Sequence, residues 1–192
     1  MSEHQQELSD QELIQRAIIG DQDAFGDLYE RYLDDIYRYV YYRVLDVNEA
    51  EDLTEAVFLR AWGNLQKGRR KVNITNFRAW IYRIAHNLVI DHHRKKKPVS
   101  LDLDVASSMR EAAMPNSETI VQQQLDSAEL AAAIHKLDDT LQQVIILRFL
   151  NELSHAEAAA VLDLKEGHVR VLQYRALKQL RKHLREEKDG YF

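Results

Sequence analysis

The sequence predicts an all-α protein of two small helical domains joined by a flexible linker. Among 192 residues there are six Gly and two Pro, and Leu, Ala, Glu, Gln and Arg are plentiful, a composition that favours helices. Apolar residues recur at helical spacing over two long stretches, and the pattern lapses between them. The net charge of −5 is also divided along the chain. Residues 1–60 carry 15 acids and 5 bases, residues 61–97 carry 10 bases and the single acid Asp91, residues 98–164 carry 11 acids and 3 bases, and residues 165–192 carry 8 bases and 4 acids. Two basic blocks between acidic ones point to two anion-binding surfaces.

The elements follow in order. Ser9 with Glu12 forms a capping box that opens a short helix to Ile19, closed by Gly20. Asp21 caps a second helix, in which Phe25, Leu28, Tyr29, Tyr32, Ile36, Tyr39 and Val40 keep helical spacing to about Leu45. Its tyrosines Tyr37, Tyr39, Tyr41 and Tyr42 suit core and domain packing. Asn48 is the expected cap of a third helix to Trp62, with Leu53, Val57, Ala61 and Phe58 toward a core and Glu51, Asp52 and Glu55 along an acidic edge. A loop with a basic centre, Gly63–Asn76, leads to a fourth helix over Phe77–Lys97 that Thr75 or Asn76 caps. Phe77, Trp80, Ile81, Ile84, Leu88 and Val89 form its apolar stripe; Arg78, Tyr82, Arg83, His86 and Asn87 fall off it, and Arg94-Lys95-Lys96-Lys97 ends it before Pro98.

From Pro98 to about Ser117 the chain is acidic and punctuated by Ser, Asp, Pro and Asn, as a linker is. Helical spacing returns at Ile120, Leu125, Leu130 and Ile134, then at Leu141, Val144, Ile145 and Leu147. Ser154 with Glu157 opens another helix to Leu162, Asp163-Leu164-Lys165 turns, and a helix from Glu166 to Lys182 follows. Ala159, Val169 and the short connection fit a helix-turn-helix. Val169, Leu172, Ala176, Leu177 and Leu180 bury one side of the second helix, which leaves Glu166, His168, Arg170, Val171, Tyr174, Arg175 and Lys178 for a groove and its phosphates.

Other classes are excluded or disfavoured. Without cysteine there is no disulfide, thiolate zinc site or nucleophilic Cys. The polar N-terminus is unlike a signal peptide, and no apolar run nears the roughly 20 residues that span a bilayer; a soluble cytoplasmic protein without membrane insertion is expected. Asp91-His92-His93, with His86 nearby, has the composition of a metal-dependent phosphoesterase motif. Adjacent histidines on a helix point about 100° apart, however, so no metal, cofactor or enzymatic activity is expected. The remaining histidines read as surface or groove residues.

Three motifs carry a family resemblance: Ala50–Trp62, Phe77–Asp91, and Leu153–Leu162 with Val169-Arg170 and Arg175–Leu177. In this order and spacing the chain resembles a bacterial RNA polymerase sigma factor of the extracytoplasmic-function type, over roughly residues 9–97 and 120–185. The resemblance implies a sigma-2-like domain at 1–97, an acidic linker at 98–119 and a sigma-4-like helix-turn-helix domain at 120–192. It implies that Asp52, Leu53, Glu55, Phe58 and Leu59 grip core RNA polymerase. It assigns capture and melting of the −10 promoter element to Arg78, Tyr82, Arg83, Asn87, Arg94, Lys95 and Lys96, with Tyr82 and the preceding loop as base-stacking candidates. The −35 element falls to Glu166, His168, Arg170, Val171, Tyr174, Arg175 and Lys178, and an anti-sigma factor is a further possible partner.

This chain departs from the family pattern at several points. Glu55-Ala56 stands where Gln-Glu is usual, the 63–76 loop is longer and more basic, and Val171-Leu172 replaces a commoner Ser-Arg pair. Asp163 stands where a turn glycine is common; Asp tolerates the left-handed conformation better than most residues, at roughly 1 kcal/mol. The competing reading is a helix-turn-helix regulator with an unrelated N-terminal effector or dimerisation domain, which leaves Arg94–Lys97 unused.

Overall fold

The computed structural model describes residues 8–67, 74–96 and 130–189, with side chains described as far as 184. The expected linker, the 68–73 centre of the basic loop and Lys97 lie outside these residues. The described residues contain helices and no strand.

Local signals set the helix ends. In α1 (Asp10–Ile18) the capping box forms: Ser9 Oγ accepts from the Glu12 N–H, and the Ser9 N–H donates to Glu12 Oε2 at 2.9 Å. Gly20 takes φ 102° to leave the helix. Asp21 Oδ1 accepts from the Ala24 N–H at 3.1 Å and starts α2 (Gln22–Val44), which Leu45 ends in the left-handed region. The cap of α3 (Val47–Lys67) is Asp46 and not Asn48: its Oδ1 accepts from the Glu49 N–H at 2.9 Å. This helix also passes Trp62 and runs through Gly63, because Leu65 continues the apolar stripe and is fully buried. Asn76 Oδ1 accepts from the Ala79 N–H at 2.9 Å to start α4 (Phe77–Lys96).

These four helices share one core. Leu13, Ile14 and Ala17 of α1 meet Leu28, Ile36 and Tyr39 of α2, Val57, Ala61 and Leu65 of α3, and Ile81, Ala85 and Val89 of α4. Ring pairs lock it: Tyr32 lies 5.2 Å from Phe77 and Tyr39 lies 5.6 Å, edge-on, from Tyr82.

The second unit begins with helical residues 130–135, followed by α5 (Asp139–Ile145). α5 passes directly into a π turn at Ile146–Leu150, where the Asn151 N–H reaches back to the Ile146 carbonyl at 3.0 Å. A second capping box, Ser154 with Glu157, opens α6 (His155–Leu162). Asp163 makes the turn at φ 55°, and α7 (Glu166–Asp189) follows. Val169, Leu172, Ala176 and Leu180 are buried against Leu141, Val144, Ala158 and Val161, so the expected helix-turn-helix is present.

The two units are not held by the linker alone; α4 packs against α6. A helix read from its apolar stripe has one buried side. Here Tyr82 and His86, off that stripe, are 0% and 9% exposed, while stripe residues Trp80 and Leu88 are only partly buried. α4 is covered by its own bundle on one side and by the second unit on another, which widens the buried surface beyond the stripe.

A Cβ at Gly26, inside α2, would meet nothing within 4 Å. Gly26→Ala should therefore stabilise the chain by about 1 kcal/mol through backbone entropy, read as a higher urea midpoint with unchanged m.

Candidate nucleic-acid and polymerase interfaces

Three surfaces bear the residues singled out in the sequence. The first lies between α2 and α3. Gln22, Phe25, Tyr29, Glu55, Phe58, Leu59 and Trp62 line an open cleft of about 260 Å³. Leu59 is 64% exposed and Tyr29 38%, both large apolar residues held toward solvent. Phe58 is 3% exposed and forms the floor, 4.7 Å edge-on from Tyr29, and Phe25 backs Trp62 at 5.0 Å. Asp52 and Glu55 are exposed along the rim and Leu53 is half-buried. Phe25 and Tyr29 belong to the helical spacing of α2 and Trp62 to the expected end of α3; that they meet in a cleft depends on how α2 crosses α3, which periodicity does not report.

The second surface is α4 and its tail. Arg83 and Asn87 are exposed and Arg78 is half-buried. Tyr82 is enclosed, its hydroxyl 3.5 Å from the Asp35 carbonyl oxygen, and burial raises the phenol pKa well above its usual value. In this arrangement no base reaches Tyr82. Arg78 donates to the carbonyl oxygens of Asn151 and, at 3.4 Å, of Glu152, both in the second unit. Arg83 lies 3.8 Å from Asp163 in the turn of the helix-turn-helix, an exposed pair of small energetic weight. At the tail, Glu49 accepts from His92 at 3.0 Å and pairs with Lys96, while Arg94 pairs with Asp91 at 3.1 Å. Lys95 is exposed.

His86 faces Tyr39 (Nδ1 to hydroxyl, 3.3 Å) and His92 faces Glu49, so the two hold different partners. Burial, and then the nearby Arg43 and Arg83 guanidinium groups, push the His86 pKa down to about 4, against a smaller upward pull from Asp139. His93 shifts down for the same first reason, burial, with Arg43 and His92 adding to it.

The third surface is the outer side of α7. Glu166, His168, Arg170, Val171, Tyr174, Arg175 and Lys178 are all exposed, with Tyr174 at 71% and Val171 at 48%. Arg170 pairs with Glu166 one turn back. The arrangement is a helix-turn-helix second helix whose apolar side is spent on its own domain and whose other side is free for a groove.

A four-helix unit with an apolar cleft and a basic helix, followed by a helix-turn-helix, defines a two-domain helical DNA-binding protein. Residues 28–99 match Sigma-70 region 2 and residues 133–182 match Sigma-70 region 4. The ECF RNA polymerase sigma factor SigW of Bacillus subtilis is 36% identical over 177 residues, which cover 87% of this chain and 92% of SigW. BldN of Streptomyces coelicolor, also an ECF RNA polymerase sigma factor, is 40% identical over 170 residues; the match covers 88% of this chain and 63% of BldN. CnrH, solved in complex with the cytosolic domain of CnrY, superposes with a TM-score of 0.71 at 26% identity, covering 92% of this chain and 97% of CnrH. This chain belongs to the ECF RNA polymerase sigma factors. It is accordingly a transcription-initiation factor, and the reading as a regulator with an unrelated N-terminal domain is set aside. Among the described residues, no helix is long and apolar enough to cross a membrane.

The His86 shift has a sign that experiment can check. A histidine whose folded pKa is depressed favours the neutral form, so its stabilisation is complete above about pH 6.5 and is lost as pH falls toward about 4. Lowering pH across that window should cost up to about 3 kcal/mol through this group. His86→Gln should flatten the acid limb of a plot of denaturation midpoint against pH.

Proposed function

We propose that the chain binds core RNA polymerase through the α2–α3 cleft and directs initiation by using α4 at the −10 element and α7 at the −35 element. The observation that carries this is the pairing of an exposed, polar α7 face with an apolar cleft around Glu55, Phe58 and Leu59 on the opposite unit. Asp52, Leu53, Glu55, Phe58 and Leu59 supply an apolar anchor with an acidic rim, a combination suited to a basic helical partner. Arg94, Lys95 and Lys96 supply phosphate contacts, which give salt-sensitive affinity without sequence information. Arg78, Arg83 and Asn87 stand next along α4, and Tyr82 joins them only when the second unit moves away. Arg170, Val171, Tyr174 and Arg175 are placed to read base edges, with Glu166, His168 and Lys178 beside the backbone. The setting is cytoplasmic, with 98–119 as linker between the domains. An anti-sigma factor completes the reading; the similar CnrH was solved in complex with a protein partner, the cytosolic domain of CnrY.

Run-off transcription with purified core polymerase on genomic fragments tests the whole. Reversing Arg94, Lys95 and Lys96 to Glu should abolish initiation while co-purification with polymerase survives; persisting initiation would reduce the basic run to a solvated helix end. Arg175→Ala should weaken promoter binding by roughly 1–3 kcal/mol with an unchanged melting curve. Equal transcription from the mutant would remove it from −35 recognition.

A further inference from the structure

The outer side of α7 is not uniformly charged. At about 100° per residue, Gly167, Val171, Tyr174 and Lys178 fall within about 60° of one another, on the side opposite the buried Val169, Leu172, Ala176 and Leu180. Arg170 and Arg175 stand to either side of that line. The centre of the outward face is therefore apolar over its first two turns and cationic along its edges. Val171 is 48% exposed and Tyr174 71%, and at three residues apart they are neighbours on the helix surface. The Arg170 guanidinium is held by Glu166 one turn back, which commits a donor within the helix. Gln173, beside them, accepts from Arg148 Nε at 3.1 Å and is tied to its own domain. A Cβ at Gly167 would meet nothing within 4 Å. No contact inside the chain calls for glycine there, and its bare backbone lets an outside group come close to Val171.

We propose that Val171 and the ring of Tyr174 are specificity-determining residues that read the 5-methyl groups of thymine in the −35 element. The proposal rests on the placement of α7 at that element. In the major groove thymine alone carries a methyl group, and an apolar side chain is what recognises it. Valine offers no donor or acceptor, so it gains from a methyl and gains nothing from the amino and carbonyl edges of the other bases. Cytosine at the same place sets its amino group against the isopropyl group, where the donor loses water without finding a partner. Arg170 and Arg175 at the edges suit the phosphates on the two walls of the groove. An apolar centre between cationic edges complements a groove with anionic walls and a methyl-bearing floor. Lys178, one turn beyond Tyr174, ends the apolar stretch, so the methyl contacts belong to the first half of the helix.

The probe is a promoter duplex that supports run-off transcription with core polymerase, made once with thymidine and once with deoxyuridine throughout the −35 element. The two duplexes differ by methyl groups alone. Holoenzyme assembled from the full chain should bind the deoxyuridine duplex about fourfold more weakly for each methyl contacted. Val171→Ser should erase most of that preference, and Val171→Thr, which keeps one methyl, should retain part of it. Tyr174→Ser should remove the remainder. The melting curve should not move in any of these variants, since the buried side of α7 is untouched. Equal affinity of the wild-type holoenzyme for the two duplexes overturns the proposal. So does a full thymidine preference in the double variant Val171→Ser, Tyr174→Ser, or a −35 element without an A·T pair. A scrambled −35 element tells the two failures apart. Holoenzyme that ignores the scrambling takes α7 off the −35 element and the methyl contacts with it; holoenzyme that responds to scrambling but not to deoxyuridine loses only the methyl contacts.

Discussion

The guanidinium of Arg43 is the point on which the arrangement of the two units depends. A charge removed from water costs several kcal/mol unless geometry and counter-charge compensate it. The first unit encloses Arg43, and among the described residues the carboxylate that pairs with it is Asp139 of the second unit. Around this pair, Asn151 and Arg78 tie the loop after the π turn to α2 and α4. The π turn has a positional role here, since its extra residue per turn swings Asn151 and Glu152 toward the first unit before the chain enters α6.

The three surfaces differ in how they are kept available. The α2–α3 cleft holds exposed apolar side chains against a buried aromatic floor, and the α7 face is kept outward by a full apolar side beneath it. Along the α4 face Arg83, Asn87 and Lys95 are exposed, Arg78 is half-buried and Tyr82 is enclosed. A single helix thus has one end committed to the interior of the chain and the other to solvent.

Much of this was legible in the sequence where the signal is local. Ser9 with Glu12, Asp21, Asn76 and Ser154 with Glu157 cap helices as their spacing indicated, since a cap involves residues three apart. Val169, Leu172, Ala176 and Leu180 face inward as their period required. Asn48 was displaced by Asp46 because either residue suits the cap and only the backbone path selects between them. The junction was not legible. Arg43, Asp139 and Asn151 sit far apart in the chain, and polar residues carry no periodic signature of burial. His86 and Tyr82 were misplaced for the same reason: a stripe counted from apolar residues assigns every polar one to the surface.

The doubly covered α4 bears on where this protein is divided. The boundary at residue 97 follows composition, but the surface of α4 continues past it into the second unit. Cutting there would remove both partners of the buried Arg43 guanidinium and the Asn151 amide that donates to the Asp35 carbonyl. The cut that composition suggests at residue 97 and the limit of the packed surface are therefore different places in this chain.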